Sequence, residues 1–266
     1  MFDALKSYDP HRFRTTVPYY ARYRLAYPER LIARVVDIVG LKPGDNVMDL
    51  GCGPGTLAIP FAKAGMKVLA VDPEPAMLAL AREAAREAGV RIEARQGSSF
   101  DLPSGIGPFE LVTMGRSFHW MDRAATLVAL DTLVAADGAV ILFDDEHPRT
   151  AENAWRRMLD EIGRRYGRSD EAHIQERNSA AYRTHESYLL ASAFNRLERI
   201  SMIVQRSLTA DDIVGLAFSL STSSLQKLGE RVGAFESDLR EALAKLTPEG
   251  SFTEIADMGA LIARRS

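Results

Sequence analysis

Asp49, Gly51, Gly53 and Gly55 stand at alternate positions, and a second acid, Asp72, lies 21 residues after Gly51. Glycines have no Cβ, so the backbone can turn sharply there and come close to a ligand. An acid at the end of a following strand can accept hydrogen bonds from both hydroxyls of a ribose. These residue types, so spaced, suit a nucleotide or nucleoside ligand. A second group is Arg116, Ser117, Phe118, His119 and Trp120. An unperturbed imidazole has a pKa near neutrality, so His119 is a candidate general base. The same ring can instead hydrogen-bond backbone or orient a substrate, and Trp120 reads as packing. Asp144, Glu146 and His147 raise a metal site, but Pro148 and the lack of further ligands favour a pocket rim. Cys52, the single cysteine, excludes an internal disulfide and a thiolate cluster. It reads as a small spacer in the glycine loop, not as a nucleophile.

The flanking pattern says which elements carry these residues. The apolar run over 47–50 predicts a buried parallel strand, and a helix is expected over 57–64, bent or shortened by Pro60. A second strand spans 67–72 and ends in Asp72. Strand, glycine loop and helix open a nucleotide-binding βαβ unit, with helix N–H groups facing the ligand. A dinucleotide fingerprint would place Gly or Ala at 56, but Thr56 stands there and the third glycine is at 55. Further expectations are helices over 29–39 and 75–88, ended by Gly40 and Gly89, and strands over 91–96 and 109–114. Asp122 caps a helix to about 134, Asp137-Gly138 makes a turn, and a fifth strand covers 138–143. The segment 115–120 follows the fourth strand, where ligands sit in doubly wound sheets.

The Asp49-x-Gly51-x-Gly53-x-Gly55 pattern resembles the first motif of class I S-adenosylmethionine-dependent methyltransferases. Asp72-Pro73-Glu74-Pro75-Ala76-Met77-Leu78 resembles their second. Tyr20 to Pro28 is similar to the Y-x-x-x-R-P-x-Y-P entry of the methyltransferase type 11 family, with Leu25 where proline is usual. Phe118-His119-Trp120 resembles the same family, including its trans-aconitate methyltransferase-like members. The resemblance is specific over about 17–145. It implies an α/β, Rossmann-like doubly wound seven-stranded sheet, order 3-2-1-4-5-7-6, with a helical cap insertion. It implies S-adenosylmethionine as cofactor, S-adenosylhomocysteine as product, and no metal. The cofactor would lie on Asp49, Gly51, Cys52, Gly53 and Gly55, with Asp72 and Pro73 at the ribose and Met77 against the adenine. Ser98 occupies the place of an acid that usually accepts from the adenine amino group, and Asp101 falls three residues late. Backbone N–H of Ser99 or Phe100 would serve the adenine ring. Tyr20 and Arg24 would reach over the pocket, Arg24 to the methionine carboxylate. Arg116 and Ser117 would stand near the transferred methyl, and the serine-rich 219–223 near the substrate mouth.

Four regions follow: an N-terminal arm over 1–28, a cofactor-binding core over 29–148, a cap over 149–195, and closing strands and helices over 196–266. The cap is too long for an ordinary connection, with helical patterns around 154–162 and 182–194. Beyond it lie a strand over 197–205, helices over 209–220 and 232–246, and a last strand over 252–264. The 266 residues are 46% hydrophobic and 26% charged, with net charge −3. That composition suits a globular cytoplasmic protein and gives no bulk attraction to nucleic acid. No apolar run is long enough to span a bilayer, and no signal-peptide layout opens the chain.

A small-molecule methyl acceptor is the expected partner, and oligomeric state is not readable. A carboxylate acceptor needs no base, whereas an alcohol, phenol or ammonium must lose a proton, with His119 placed to take it. Arg156, Arg157 and Arg183 of the cap can hold an acidic acceptor or form a solvated face. Adenine-N6 methyltransferases resemble one another in an N/D-P-P-Y/F motif, and Gly115-Arg116-Ser117-Phe118 stands in its place. A protein acceptor and a non-catalytic binding domain remain the alternatives.

Overall fold

The structure, a computed structural model, describes residues 16–102, 105–167, 179 and 182–266. The first part of the expected arm and the middle of the expected cap lie outside these residues. Parallel strands β1 (Asn46–Leu50), β2 (Lys67–Asp72), β3 (Glu93–Gln96), β4 (Phe109–Gly115) and β5 (Val134–Glu146) form most of one sheet. Two antiparallel strands, β6 (Arg196–Thr209) and β7 (Ser251–Arg264), complete it in the order β3-β2-β1-β4-β5-β7-β6. This is the expected seven-stranded order. The interior strands are buried on both faces, as in Val47–Leu50, which is why they read as continuous apolar runs.

Helices flank the sheet. On one face, α2 (Glu29–Val39) buries Leu31, Ile32 and Val35, and ends where Gly40 adopts φ 78° and donates to the Val36 carbonyl. The neighbouring α3 (Ala58–Lys63) is short, with Pro60 in its first turn, where a missing N–H breaks no helical bond. Next, α4 (Pro75–Glu87) is capped by the Glu74 side chain and buries Met77, Leu78, Ala81 and Ala85. On the other face, α5 (Arg123–Leu133) is capped by Asp122.

One local expectation is corrected, and the arm carries an element that no expectation covered. The arm carries a helix, α1 (Val17–Tyr23), where periodicity is weak; tertiary packing of Tyr19 and Tyr23 on the C-terminal helices supplies what local pattern lacks. Asp137-Gly138 makes no turn between helix and strand. It lies inside β5 as a bulge, where the register with β4 jumps from Phe109↔Val134 to Leu111↔Ala139.

A helical layer joins α6 (Ala154–Arg165) with α8 (Ala210–Phe218), α9 (Leu225–Leu228) and α10 (Val232–Leu246), while α7 (His185–Leu190) packs near α5. Trp155, Ile213, Phe218 and Phe235 share its core, so the layer draws on both the 149–195 and the 196–266 segments. The sheet explains where this layer sits. The last β5–β7 pair is Glu146↔Asp257, and β7 runs antiparallel, so residues 251–256 overhang the carboxyl edge of the parallel strands. The overhang holds the helical layer above that edge.

Candidate active site

A cavity of about 650 Å³ opens at the carboxyl ends of β1, β2, β4 and β5. That lies within the roughly 300–1,000 Å³ usual for small-ligand sites. Its floor is the glycine loop after β1. Gly51, Gly53 and Gly55 have φ of 73°, 53° and 87°, a region costly for other residues. A Cβ on Gly51 would stand 2.6 Å from Cβ of Ser117, so the loop and the β4 terminus can close up only around glycine.

Asp72 fixes the loop's outer side. Its Oδ2 accepts the Gly53 N–H at 2.8 Å and its Oδ1 accepts the Glu74 N–H at 2.9 Å. Each oxygen keeps a further lone pair for a ligand hydroxyl. Burial pushes the Asp72 pKa up to about 6 against these two bonds. Asp49 lies beneath the cavity, not in its wall. It accepts the Ala58 N–H at 3.0 Å and the Thr113 hydroxyl at 3.2 Å, tying β1 to α3 and β4. Burial raises its pKa to about 7. Cys52 is buried, its thiol pKa pushed up by desolvation, and neither it nor Gly55 lines the cavity. The other loop and motif residues, Gly51, Gly53, Asp72, Pro73, Met77, Ser98, Ser99 and Phe100, do line it. Ser98 and Asp101 are not independent. The Ser98 hydroxyl donates to Asp101 at 2.6 Å, and its oxygen accepts from the Phe100 N–H at 3.3 Å.

The arm closes one side. Tyr20 and Arg24 line the cavity, with the Arg24 guanidinium 5.1 Å from the Tyr20 ring centre. Burial lowers the Arg24 pKa, and its Nε is buried with no hydrogen-bond partner. Arg116 serves the arm more than sequence suggests. At φ 56° it pairs with Asp145, donates to the Leu25 carbonyl at 2.9 Å, and lies 4.7 Å over Tyr27. Its Nη1 is likewise buried and unpartnered. Burial opposes the charge on Asp145, but Arg116 outweighs it and lowers that pKa. Tyr27 donates to the Phe143 carbonyl at 3.2 Å. Asp145 is a residue sequence reasoning missed, and Tyr27 was read only as part of the arm motif, without a role of its own. Further along the arm, Tyr23 covers Gly215 of α8 so closely that an added Cβ would collide with its ring. Gly215→Val is expected to cost about 1–3 kcal/mol and to loosen the arm, seen as a lower melting temperature and faster proteolysis over 16–28.

At the far end, Ser117 is buried and donates to the Leu50 carbonyl at 2.9 Å. His119 is exposed at the rim, its ring 4.6 Å from Trp120 and 6.5 Å from His185 of α7. Leu220, Ser221 and Thr222 also reach the cavity. Asp144 is engaged by Arg199 in two hydrogen bonds of 3.0 and 2.8 Å, and His147 sits between Asp145 and Glu254. Among the described residues no group of three or more His, Cys, Asp or Glu could hold a metal ion. Nor is any helix there long and apolar enough to cross a membrane. Of the cap arginines, Arg156 binds buried Glu254 and Arg157 donates to the Thr150 carbonyl at 3.2 Å. Neither lines the cavity.

Residues 47–138 match the family model described as methyltransferase domain. The chain is 38% identical over 78 residues to a ubiquinone biosynthesis O-methyltransferase of Azorhizobium caulinodans, covering 29% of this chain and 31% of that one. It is 44% identical over 72 residues to the ribosomal protein L11 methyltransferase of Thermus thermophilus, covering 27% and 28%. The chain thus spans about a third of the length of these relatives. An S-adenosylmethionine-dependent methyltransferase of Thiobacillus denitrificans, solved with S-adenosylhomocysteine, superposes with a TM-score of 0.56 at 16% identity, over 97% of this chain and 99% of that one.

Proposed function

We propose that this chain, a member of the class I S-adenosylmethionine-dependent methyltransferases, transfers a methyl group from that cofactor to a small-molecule acceptor. When bound, the cofactor supplies a methyl already activated on a sulfonium. The chain's task is then to hold two reactants in line and keep water out. In this reading Asp72 accepts the ribose hydroxyls, Met77 and the 98–100 segment flank the adenine, and Gly51 and Gly53 let the methionine part approach the backbone. Tyr20 and Arg24 close over that part. The observation that carries the reading is the Arg24 side chain, a cation that lines the same cavity as Gly51, Gly53 and Asp72. Arg24 already feels the charge of Asp145, and its place in the cavity wall suits a further contact with a ligand carboxylate.

A small acceptor is supported by the cavity's size, about 650 Å³ for cofactor and acceptor together, with Phe118, His185 and Leu220 in its lining. The two relatives named above, one of them named for a protein acceptor, leave this choice open. Stretches of 78 and 72 residues are too short to run from Gly51 to His185. The net charge of −3 gives no general attraction to nucleic acid.

Calorimetry with S-adenosylmethionine and S-adenosylhomocysteine tests the assignment, with NAD and ATP as controls. Binding of the first two alone is expected. Binding of NAD in their place would replace this reading with a dinucleotide one. The pH dependence carries a sign. The ribose hydroxyls donate to an ionised Asp72, whose pKa is held near 6 by burial. Affinity is therefore expected to fall roughly tenfold between about pH 7 and about pH 5, and this slope should vanish in Asp72→Asn.

A further inference from the structure

We propose that His185 is the general base of this site and that its acceptor is an acidic hydroxyl on a planar ring, a phenol or an enol. The proposal rests on methyl transfer at this cavity. His185 opens α7, beyond the family-matched segment, and lines the cavity's far end. Its Nδ1 is buried and has no hydrogen-bond partner among the described residues. Nε2 is thus the nitrogen left to receive a proton from the cavity. Phe118 holds the ring edge-on at 5.2 Å, and His119 lies 6.5 Å away, 21° from parallel. His119 is exposed, whereas His185 is half-buried, so the second imidazole is the better shielded from water.

The charged and titratable groups around His185 are Arg123 on α5, Glu186 on its own helix, Asp144 at the end of β5, and His119. Burial first, and Arg123 second, hold the imidazole below its ordinary pKa, so it is neutral at neutral pH. An imidazole held below its ordinary pKa takes a proton readily only from an acidic hydroxyl, which is why the acceptor is a phenol or an enol. The rings of Phe118, His119 and Trp120 offer faces and edges for a flat acceptor.

The step balances. The acceptor oxygen forms a bond to the methyl carbon as the carbon–sulfur bond breaks, and the sulfur keeps that electron pair as a thioether. The hydroxyl proton passes to Nε2 of His185, which becomes an imidazolium and later releases the proton to water.

The test uses the intact chain with ring-15N histidine, saturated with S-adenosylhomocysteine, and followed by NMR while catechol, 3,4-dihydroxybenzoate and, as the amine control, tyramine O-methyl ether are added. The His185 resonances are assigned from His185→Gln. They are expected to titrate below an unperturbed imidazole and to shift with the phenols but not with the amine. A His185 that stays unmoved by both phenols, or that shifts with the amine alone, overturns the proposal. Failure of S-adenosylhomocysteine to bind overturns the cofactor reading instead. With a phenol that turns over, His185→Gln is expected to lower kcat about 100-fold with KM little changed. Much of that loss should return above the phenol's own pKa, where the hydroxyl ionises without help. A loss equal at every pH would make His185 structural.

Discussion

Asp72→Ala is expected to weaken S-adenosylhomocysteine binding by about 100-fold or more, while the chain still folds. Two ligand hydrogen bonds to an ionised acceptor would disappear, each worth about 1.5–3 kcal/mol. The same change frees the Gly53 N–H, held by Asp72 at 2.8 Å, and the Glu74 N–H, held at 2.9 Å. The loop would lose its outer anchor as well as its ligand contact. Asp72→Asn separates these parts. It keeps the shape and one carbonyl acceptor, but turns an amide donor towards one of those N–H groups. Its affinity should therefore fall nearly as far. Calorimetry gives the affinity, and circular dichroism melting shows that the fold survives. Unchanged affinity in a folded Asp72→Ala would sink the ribose assignment.

Glu254→Ala is expected to lower the free energy of unfolding by about 3–5 kcal/mol, the largest stability effect foreseen here. Glu254 lies on the β7 overhang, fully buried. It accepts from Arg156 of α6 and from Arg206 of β6 at 2.5 Å, and faces His147 Nε2 at 3.2 Å. Arg206 also donates to the Tyr23 carbonyl at 3.1 Å. One carboxylate thus joins the helical layer, the edge strand, the end of β5 and the arm. Its removal leaves two arginines partly buried around an uncompensated hole. Urea unfolding at neutral pH measures the loss.

The pH limb gives an independent check. Burial alone would raise the Glu254 pKa, but His147, Arg156 and Arg206 outweigh it and draw it down to about 2. A depressed folded pKa stabilises above the unfolded value of about 4.3, and that contribution is lost as pH falls from there towards 2. Wild type should therefore lose stability over this window more steeply than Glu254→Ala. Equal slopes would mean that Glu254 does not carry this linkage.

Legibility in the sequence followed the range of the interactions. The glycine loop and Asp72 were readable because their geometry is local: positive φ at Gly51, Gly53 and Gly55, and a strand that ends in an acid. Apolar runs and the Asp122 cap gave most elements of the sheet and its helices, since these too are set by neighbours in the chain. Asp49 belonged to the motif yet lies under the cavity, because a motif marks co-occurrence and does not say which way a carboxylate faces.

The sequence by itself determined the cofactor-binding half, from the strand–glycine–helix unit to the strand order implied by its family resemblance. Only the tertiary structure decided what closes over it. Arg116 meets Leu25 from 91 residues away, Arg206 meets Tyr23 from 183, and Glu254 gathers Arg156 from 98. Pairings at such separations leave no period or spacing in the chain. They arise because an antiparallel last strand overhangs the sheet edge and carries helices, arm and the His185 segment to one cavity.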